Sequence, residues 1–299
     1  MKITMLSEID YAASGLKLCD AINLHTKHNV QLFTGQYYNK FKHPQKVQHT
    51  RRDIQQYVDE SDIVHLKGDF PPKDGYMGLK IMHKPVIISV SGSHFRTKEN
   101  GGYGKYSLNE YILAKVRTAF TPDLLYEGFT EWTPHPINSY DQSIQWKRAV
   151  HPVLMHTPTR PEAKGTEFIK AVFSKLAKRM KIETVVTDNV PFKRVVEMRK
   201  EATIFFDQFK VGFYGNSAIE AMQFGVPTAA WIINGFSKDC PVITANKKVE
   251  VWAKLIEETL DGDMNELSVR TKQWCDSVHS YQAVAKQWDG IYNAIALKT

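Results

Sequence analysis

FDQFKVGFYGNSAIEAMQFGVPTAAWI, residues 206–232, reads as the end of a strand, a glycine-bearing loop from Gly212 to Gly215, a helix that starts at once, and a second buried strand. Gly225 and Pro227 stop the helix and release the chain into that strand. A helix start presents unpaired backbone N–H groups and the positive end of its dipole, so a diphosphate can be held there. Glycines let the backbone come close to such a group. Two roles are open to Glu220 on this evidence. Ser217-x-x-Glu220 matches a capping box, in which the carboxylate bonds the helix's own N–H groups. Alternatively, the carboxylate accepts hydrogen bonds from ribose hydroxyls, since it can take two at once.

Working outward, HTPTRPEAKGTEFI (156–169) is a second strand end, from which Arg160 and Lys164 project toward the same crevice. There they could hold a pyrophosphate and stabilise its charge; two cations four residues apart are also an ordinary surface pattern. His156 reads as a buried strand-end histidine. Around these segments a strand at 151–156, a helix at about 165–180, the strand KIETVVTD, a short helix after Pro191 and the strand ATIFFDQ alternate. Helices at about 248–260, 263–277 and 280–297 follow. The N-terminal half alternates in the same way, with strands MKITM, VQLFTG, DIVHLKG and PVIISVSG and an amphipathic helix after Gly15. Two parallel-sheet lobes with crossover helices, facing each other across a cleft, are the economical inference. Ligand loops then fall at the carboxyl ends of strands, near 8–15, 68–73 and 91–106. In TEWTPHPIN, Pro134 and Pro136 interrupt the pattern. The expected division is a lobe at 1–135, a linker at 136–149, a second lobe at 150–279, and a final helix at 280–299.

The chain has 299 residues, 42% apolar and 24% charged, the composition of a globular protein with room for two cores. Cys19, Cys240 and Cys275 are far apart and form no CxxC pair, which argues against a zinc knuckle or a disulfide framework. The N-terminus reaches acidic residues within ten positions, and no apolar run approaches bilayer length, so a cytoplasmic protein without a transmembrane segment is expected. The net charge of +7 favours an acidic partner. The densest basic stretch, YYNKFKHPQKVQHTRR (37–52), contains Lys40, Lys42, Arg51 and Arg52 and no acid. It suits phosphates of nucleic acid or a membrane surface, or else is a solvated loop.

YGNSAIEAMQFGVPT and RPEAKGTEFI resemble the glutamate motif and the Arg and Lys-Gly pair of retaining glycosyltransferases of the GT-B fold, family 4 or group 1. Weaker matches are the helix after Gly15, DIVHLKG, KPVIISVSGSHFR and SYQAVAKQWDGIY; together these touch about half the chain. The resemblance implies two Rossmann-like lobes, with a nucleoside-diphosphate sugar (UDP-sugar foremost) bound by the second and an acceptor by the first. It also implies no obligatory metal or other cofactor, and a final helix that crosses back to the first lobe. Arg160 and Lys164 would contact the donor diphosphate, backbone groups at Gly215, Asn216 and Ser217 would assist, Glu220 would hold the ribose, and Gly15 would lie beside the phosphates from the opposite lobe. The sequence departs from the family at two places. Gly212 stands where the family has a sugar-contacting glutamate, and Ser91 where it often has a histidine, which makes nearby His94 a candidate sugar or acceptor contact. Arg96 could hold an acidic acceptor. Two acceptors fit: a hydroxymethylated base in double-stranded DNA, favoured by the basic stretch and small size, or a saccharide or lipid-linked saccharide. From other classes, a sugar-nucleotide epimerase or a non-catalytic binding module remain alternatives.

Overall fold

The computed structural model describes residues 1–36, 51–68, 78–92, 95–97, 114–138, 143–147, 149–188, 190–233, 236 and 239–297. In chain order they form β1 (Lys2–Ile9), α1 (Ser14–His25), β2 (Asn29–Gln36), α2 (Arg51–Glu60), β3 (Ile63–Lys67), β4 (Val86–Val90), β5 (Val116–Ala119) and β6 (Glu131–Trp132). There follow β7 (Val153–His156), α3 (Pro161–Lys164), α4 (Thr166–Ala177), β8 (Glu183–Val186), α5 (Phe192–Lys200), β9 (Ile204–Phe206), α6 (Asn216–Met222) and β10 (Thr228–Ala229). Three helices close the chain: α7 (Val249–Asp261), α8 (Met264–His279) and α9 (Tyr281–Ala296). The described residues fall into two compact units. The first draws on Met1–Arg96, Tyr103–Asn138 and Val278–Thr299, the second on Thr97–Gly102 and Ser139–Ser277.

In the first unit, six strands run parallel in the order β2-β1-β3-β4-β5-β6. β3 and β4 are buried along their whole length, as strands covered on both faces must be, so even His65, Lys67 and Ser89 among their apolar residues are buried. Alternate residues feed two cores. Ile3 and Met5 pack with Leu18 and Ile22 of α1 and with Trp288 and Tyr292 of α9, whereas Leu6 and Leu66 pack with Ile54 and Val58 of α2. One polar thread crosses the α9 core: buried His65 bonds Ser89 Oγ through Nε2 and Tyr292 OH through Nδ1, each at 2.8 Å. Ahead of the prolines that interrupt the pattern, Glu131–Trp132 form a short sixth strand. Thr130 and Thr133 N–H donate to Arg117 and Ala119 carbonyls, and Pro134 then ends the pairing.

In the second unit, the four parallel strands run β10-β9-β7-β8 over a core of Leu154, Ile169, Phe173, Phe206 and Trp252. The sheet order reverses on either side of β7, as it does on either side of β1 in the first unit, so each unit has a topological switch point: β7/β9 here, β1/β3 there.

Three buried histidines stay neutral because burial opposes their charge: His65 is lowered to about 3, and His156 and His279 to about 4. The unfolded chain takes up these protons near pH 6.5 and the folded chain does not, so stability is fully present above about pH 6.5 and drains away as pH falls toward 4. Urea midpoints across that range should therefore decline steadily, and a flat profile from pH 7 to 4 would contradict the burial assigned here. Tyr292→Phe leaves His65 short of a partner and should cost about 1–3 kcal/mol in the same assay.

Candidate functional site

At the β7/β9 switch point two loops meet. After β7, buried His156 donates Nδ1–H to the Phe206 carbonyl and accepts from Thr166 Oγ1, tying strand end to helix start, as its sequence position suggests. Exposed Arg160 precedes the single turn α3, whose last residue is Lys164. Gly165 follows at φ 74°, a left-handed bend that favours glycine, and lets α4 begin immediately. After β9 comes Asp207. Its carboxylate takes Lys164 Nζ on Oδ1 and the Gly215 N–H on Oδ2, both at 2.5 Å. The Asp207 side chain is 1% exposed and that of Lys164 16%, so the acid is the more deeply buried partner. Lys164 is held close against Gly215: a Cβ there would stand 3.2 Å from Nζ.

The sequence expectation for α6 is met only in part. The helix has seven residues and its N-cap is Gly215, so Ser217 and Glu220 do not form a capping box. The Gly215 N–H, expected to be open, is taken by Asp207. The Asn216 side-chain oxygen is buried and hydrogen-bonds no described residue. Glu220 turns inward, where Arg199 Nη1 of α5 bonds its Oε2; the two side chains are 6% and 4% exposed. Arg199 also donates to Thr157 Oγ1 from Nε at 3.3 Å and Nη2 at 3.2 Å, and lies over the Phe205 ring. A Cβ at Gly212 would have to displace the end of the Ile233 side chain. Cations gather at this end of the sheet. Lys210 lies beside Gly165, and Lys247, stacked 3.4 Å over Trp231, is pushed below the usual lysine range by burial and then by Lys210.

The first unit repeats the device at β1/β3. Asp10 accepts the Gly15 and Leu16 N–H groups at 2.6 and 3.1 Å and pairs with Lys67 Nζ at 3.3 Å, Lys67 being 2% exposed. Gly15 therefore stands at a strand end, with its N–H occupied by the chain's own carboxylate. Ala12 and Ala13, both left-handed at φ 56° and 51°, bend the chain so that Asp10 reaches it. Arg96 is committed elsewhere: it forks onto Asp123 at 2.7 and 2.9 Å and donates to the Ser91 carbonyl, which corrects its assignment to an acceptor. Arg52 is exposed on α2, on whose backbone Arg51 also lies. His94, Lys40 and Lys42 lie outside the described residues. Among the described residues, no group of three or more His, Cys, Asp or Glu could hold a metal ion, and no helix is long and apolar enough to cross a membrane.

No protein-family model and no curated protein matches the sequence. Solved structures do. A glycosyltransferase from Rickettsia africae superposes with a TM-score of 0.66 at 12% identity, over 100% of this chain and 99% of that one. Sucrose-phosphate synthase from Thermosynechococcus elongatus gives 0.63 at 11%, over 100% of both. An alpha-glucosyltransferase solved with UDP-glucose and DNA containing an abasic site gives 0.65 at 11%, over 97% and 99%; it has also been solved with UDP and DNA containing an HMU base. The chain has the GT-B fold.

Within that GT-B frame, Arg160, Lys164, Gly215 and Glu220 all belong to the second unit, and Lys164 and Gly215 meet at its switch point. Sequence reasoning missed Asp207 and Arg199, the counter-ions that hold Lys164 and Glu220. The available signals were a carboxylate directly after a strand, and a spacing of four between Arg199 and Val195, both buried on α5. Arg199→Met strands the buried Glu220 carboxylate and should destabilise the protein by about 3–5 kcal/mol, read from urea denaturation. Loss below about 1 kcal/mol would mean that the pair is solvated.

Proposed function

We propose that the protein is a retaining glycosyltransferase that moves a sugar from a nucleoside-diphosphate sugar, foremost a UDP-sugar, to an acceptor hydroxyl. The observation that carries this reading is Lys164 Nζ held at the second unit's switch point beside Gly215, with Arg160 on the preceding loop. Carboxyl ends of parallel strands at a switch point are where α/β sheets bind their ligands. Lys164 on the buried acid, Lys210 beside Gly165 and Lys247 coupled to Lys210 make this end cationic, which suits a diphosphate.

In this reading Arg160 and Lys164 take the charge that grows on the diphosphate as the glycosidic bond breaks. The acceptor hydroxyl attacks the anomeric carbon from the side the diphosphate leaves, its proton passes to the diphosphate, and configuration is retained. Glu220, the ribose contact that the resemblance implies, is turned inward onto Arg199, so in this reading the ribose hydroxyls must engage its carboxylate in competition with that pair, and the Asn216 side chain and Ser217 backbone contribute polar groups nearby. Gly212 leaves the sugar without the glutamate contact that the family pattern carries, so the sugar's specificity must come from elsewhere.

For the acceptor, a hydroxymethylated base in double-stranded DNA is the preferred reading. It rests on the basic stretch 37–52 and on the fold shared with an alpha-glucosyltransferase solved on DNA. A base inside a duplex would have to be flipped out, at a cost of a few kcal/mol. A saccharide or lipid-linked saccharide is the second reading, supported by the likeness to sucrose-phosphate synthase.

Release of nucleoside diphosphate from UDP-, GDP- and ADP-sugars, with and without duplex DNA carrying hydroxymethylated pyrimidines, tests both levels. Release that rises with modified DNA and falls steeply with salt is expected. Lys164→Ala should lower turnover about a hundredfold. A wild-type rate in that variant would sink the site assignment, and donor hydrolysis indifferent to DNA would shift the acceptor to a saccharide.

A further inference from the structure

A lysine side chain has four rotatable bonds and samples many positions unless something holds its end. Lys164 is held. Its ammonium meets Asp207 Oδ1 at 2.5 Å, while the other oxygen of the same carboxylate takes the Gly215 N–H at 2.5 Å. One rigid group thus sets the distance between the cation and the loop that opens α6. Asp207 itself is fixed because its own N–H donates to the Ala229 carbonyl of β10 at 2.9 Å, extending the sheet by one bond. At 1% exposure it is shielded from any ligand that Lys164 could touch. At the β1/β3 switch point Asp10 likewise joins Lys67 to Gly15, but there both contacts fall on Oδ1 and the lysine, 2% exposed, lies deeper than the acid, 12% exposed.

From this geometry we infer that Asp207 is a positioning residue for transfer: it acts through Lys164, aiming Nζ at the donor diphosphate and fixing the Gly215 loop beside it. The inference rests on the donor site proposed above. Asp207 does not touch the substrate. It restricts Lys164 before the donor arrives, so less order is lost when the diphosphate is bound and its growing charge is stabilised.

The test is a double-mutant cycle on the full chain with Lys164→Ala, Asp207→Asn and the two combined, reading kcat, KM and the affinities for UDP and inorganic pyrophosphate. Asparagine keeps an oxygen that can accept from Gly215 and removes the charge that holds Nζ. Asp207→Asn should lower kcat about tenfold to a hundredfold with a smaller change in KM, and should add no loss in the Lys164→Ala background. A merely structural role would give losses that multiply in the double variant; that outcome, or full kcat in Asp207→Asn, overturns the inference. Should Asp207→Asn not fold, Asp207→Glu retains the charge and displaces Nζ by one methylene, and the same non-additivity is expected. Wild-type protein that binds neither UDP nor pyrophosphate overturns the proposed function itself. Binding in the wild type with an additive cycle overturns only the role of Asp207.

Discussion

The ion pair between Lys164 and Asp207 is the constraint on which the arrangement of the second unit's site depends. A carboxylate that is 1% exposed has lost nearly all its water, a cost of several kcal/mol that only close, well-placed partners can offset. Asp207 has two, an ammonium and a backbone N–H, and they come from loops following different strands. Satisfying that one buried charge therefore ties together the loops that follow the paired strands β7 and β9, at the point where the sheet order reverses. The partly exposed Lys164 side chain is what the arrangement leaves for a ligand.

The same logic recurs in the first unit with different chain connections. Asp10 follows β1, Lys67 ends β3 and Gly15 lies in the first turn of α1. Left-handed geometry at Ala12 and Ala13, worth roughly 1–2 kcal/mol of strain per residue, is tolerated to close that contact. Below it, the polar thread from Ser89 through His65 to Tyr292 fixes where α9 rests on the sheet. Buried polar groups in both units are thus arranged to set the positions of loops and helices, whereas the apolar cores supply the bulk of the driving force.

Much of this was legible in the chain. Buried strands such as VIISV announce themselves as largely apolar runs because parallel sheets are covered on both faces, and the alternation with helices follows from crossover connections. The GT-B architecture was expected from the glutamate motif and the Lys-Gly pair, and it is the fold found. What escaped the reading is how ionic groups choose partners across long sequence separations. Arg96 reads as an open cation until Asp123, 27 residues later, is seen to clasp it. Glu220 matches a capping box, yet Arg199 of a different helix claims it. The strand Glu131–Trp132 hides between a loop and two prolines, because two residues carry too little periodicity to register.

Amide hydrogen exchange with and without saturating UDP tests the central claim most directly, because it reports where the nucleotide sits without needing an acceptor. Bound UDP should slow exchange in 157–166 and 207–220 of the second unit, where the Lys164–Asp207–Gly215 contact lies. Unchanged exchange in both segments, with protection confined to other parts of the chain, would contradict the placement of the donor there.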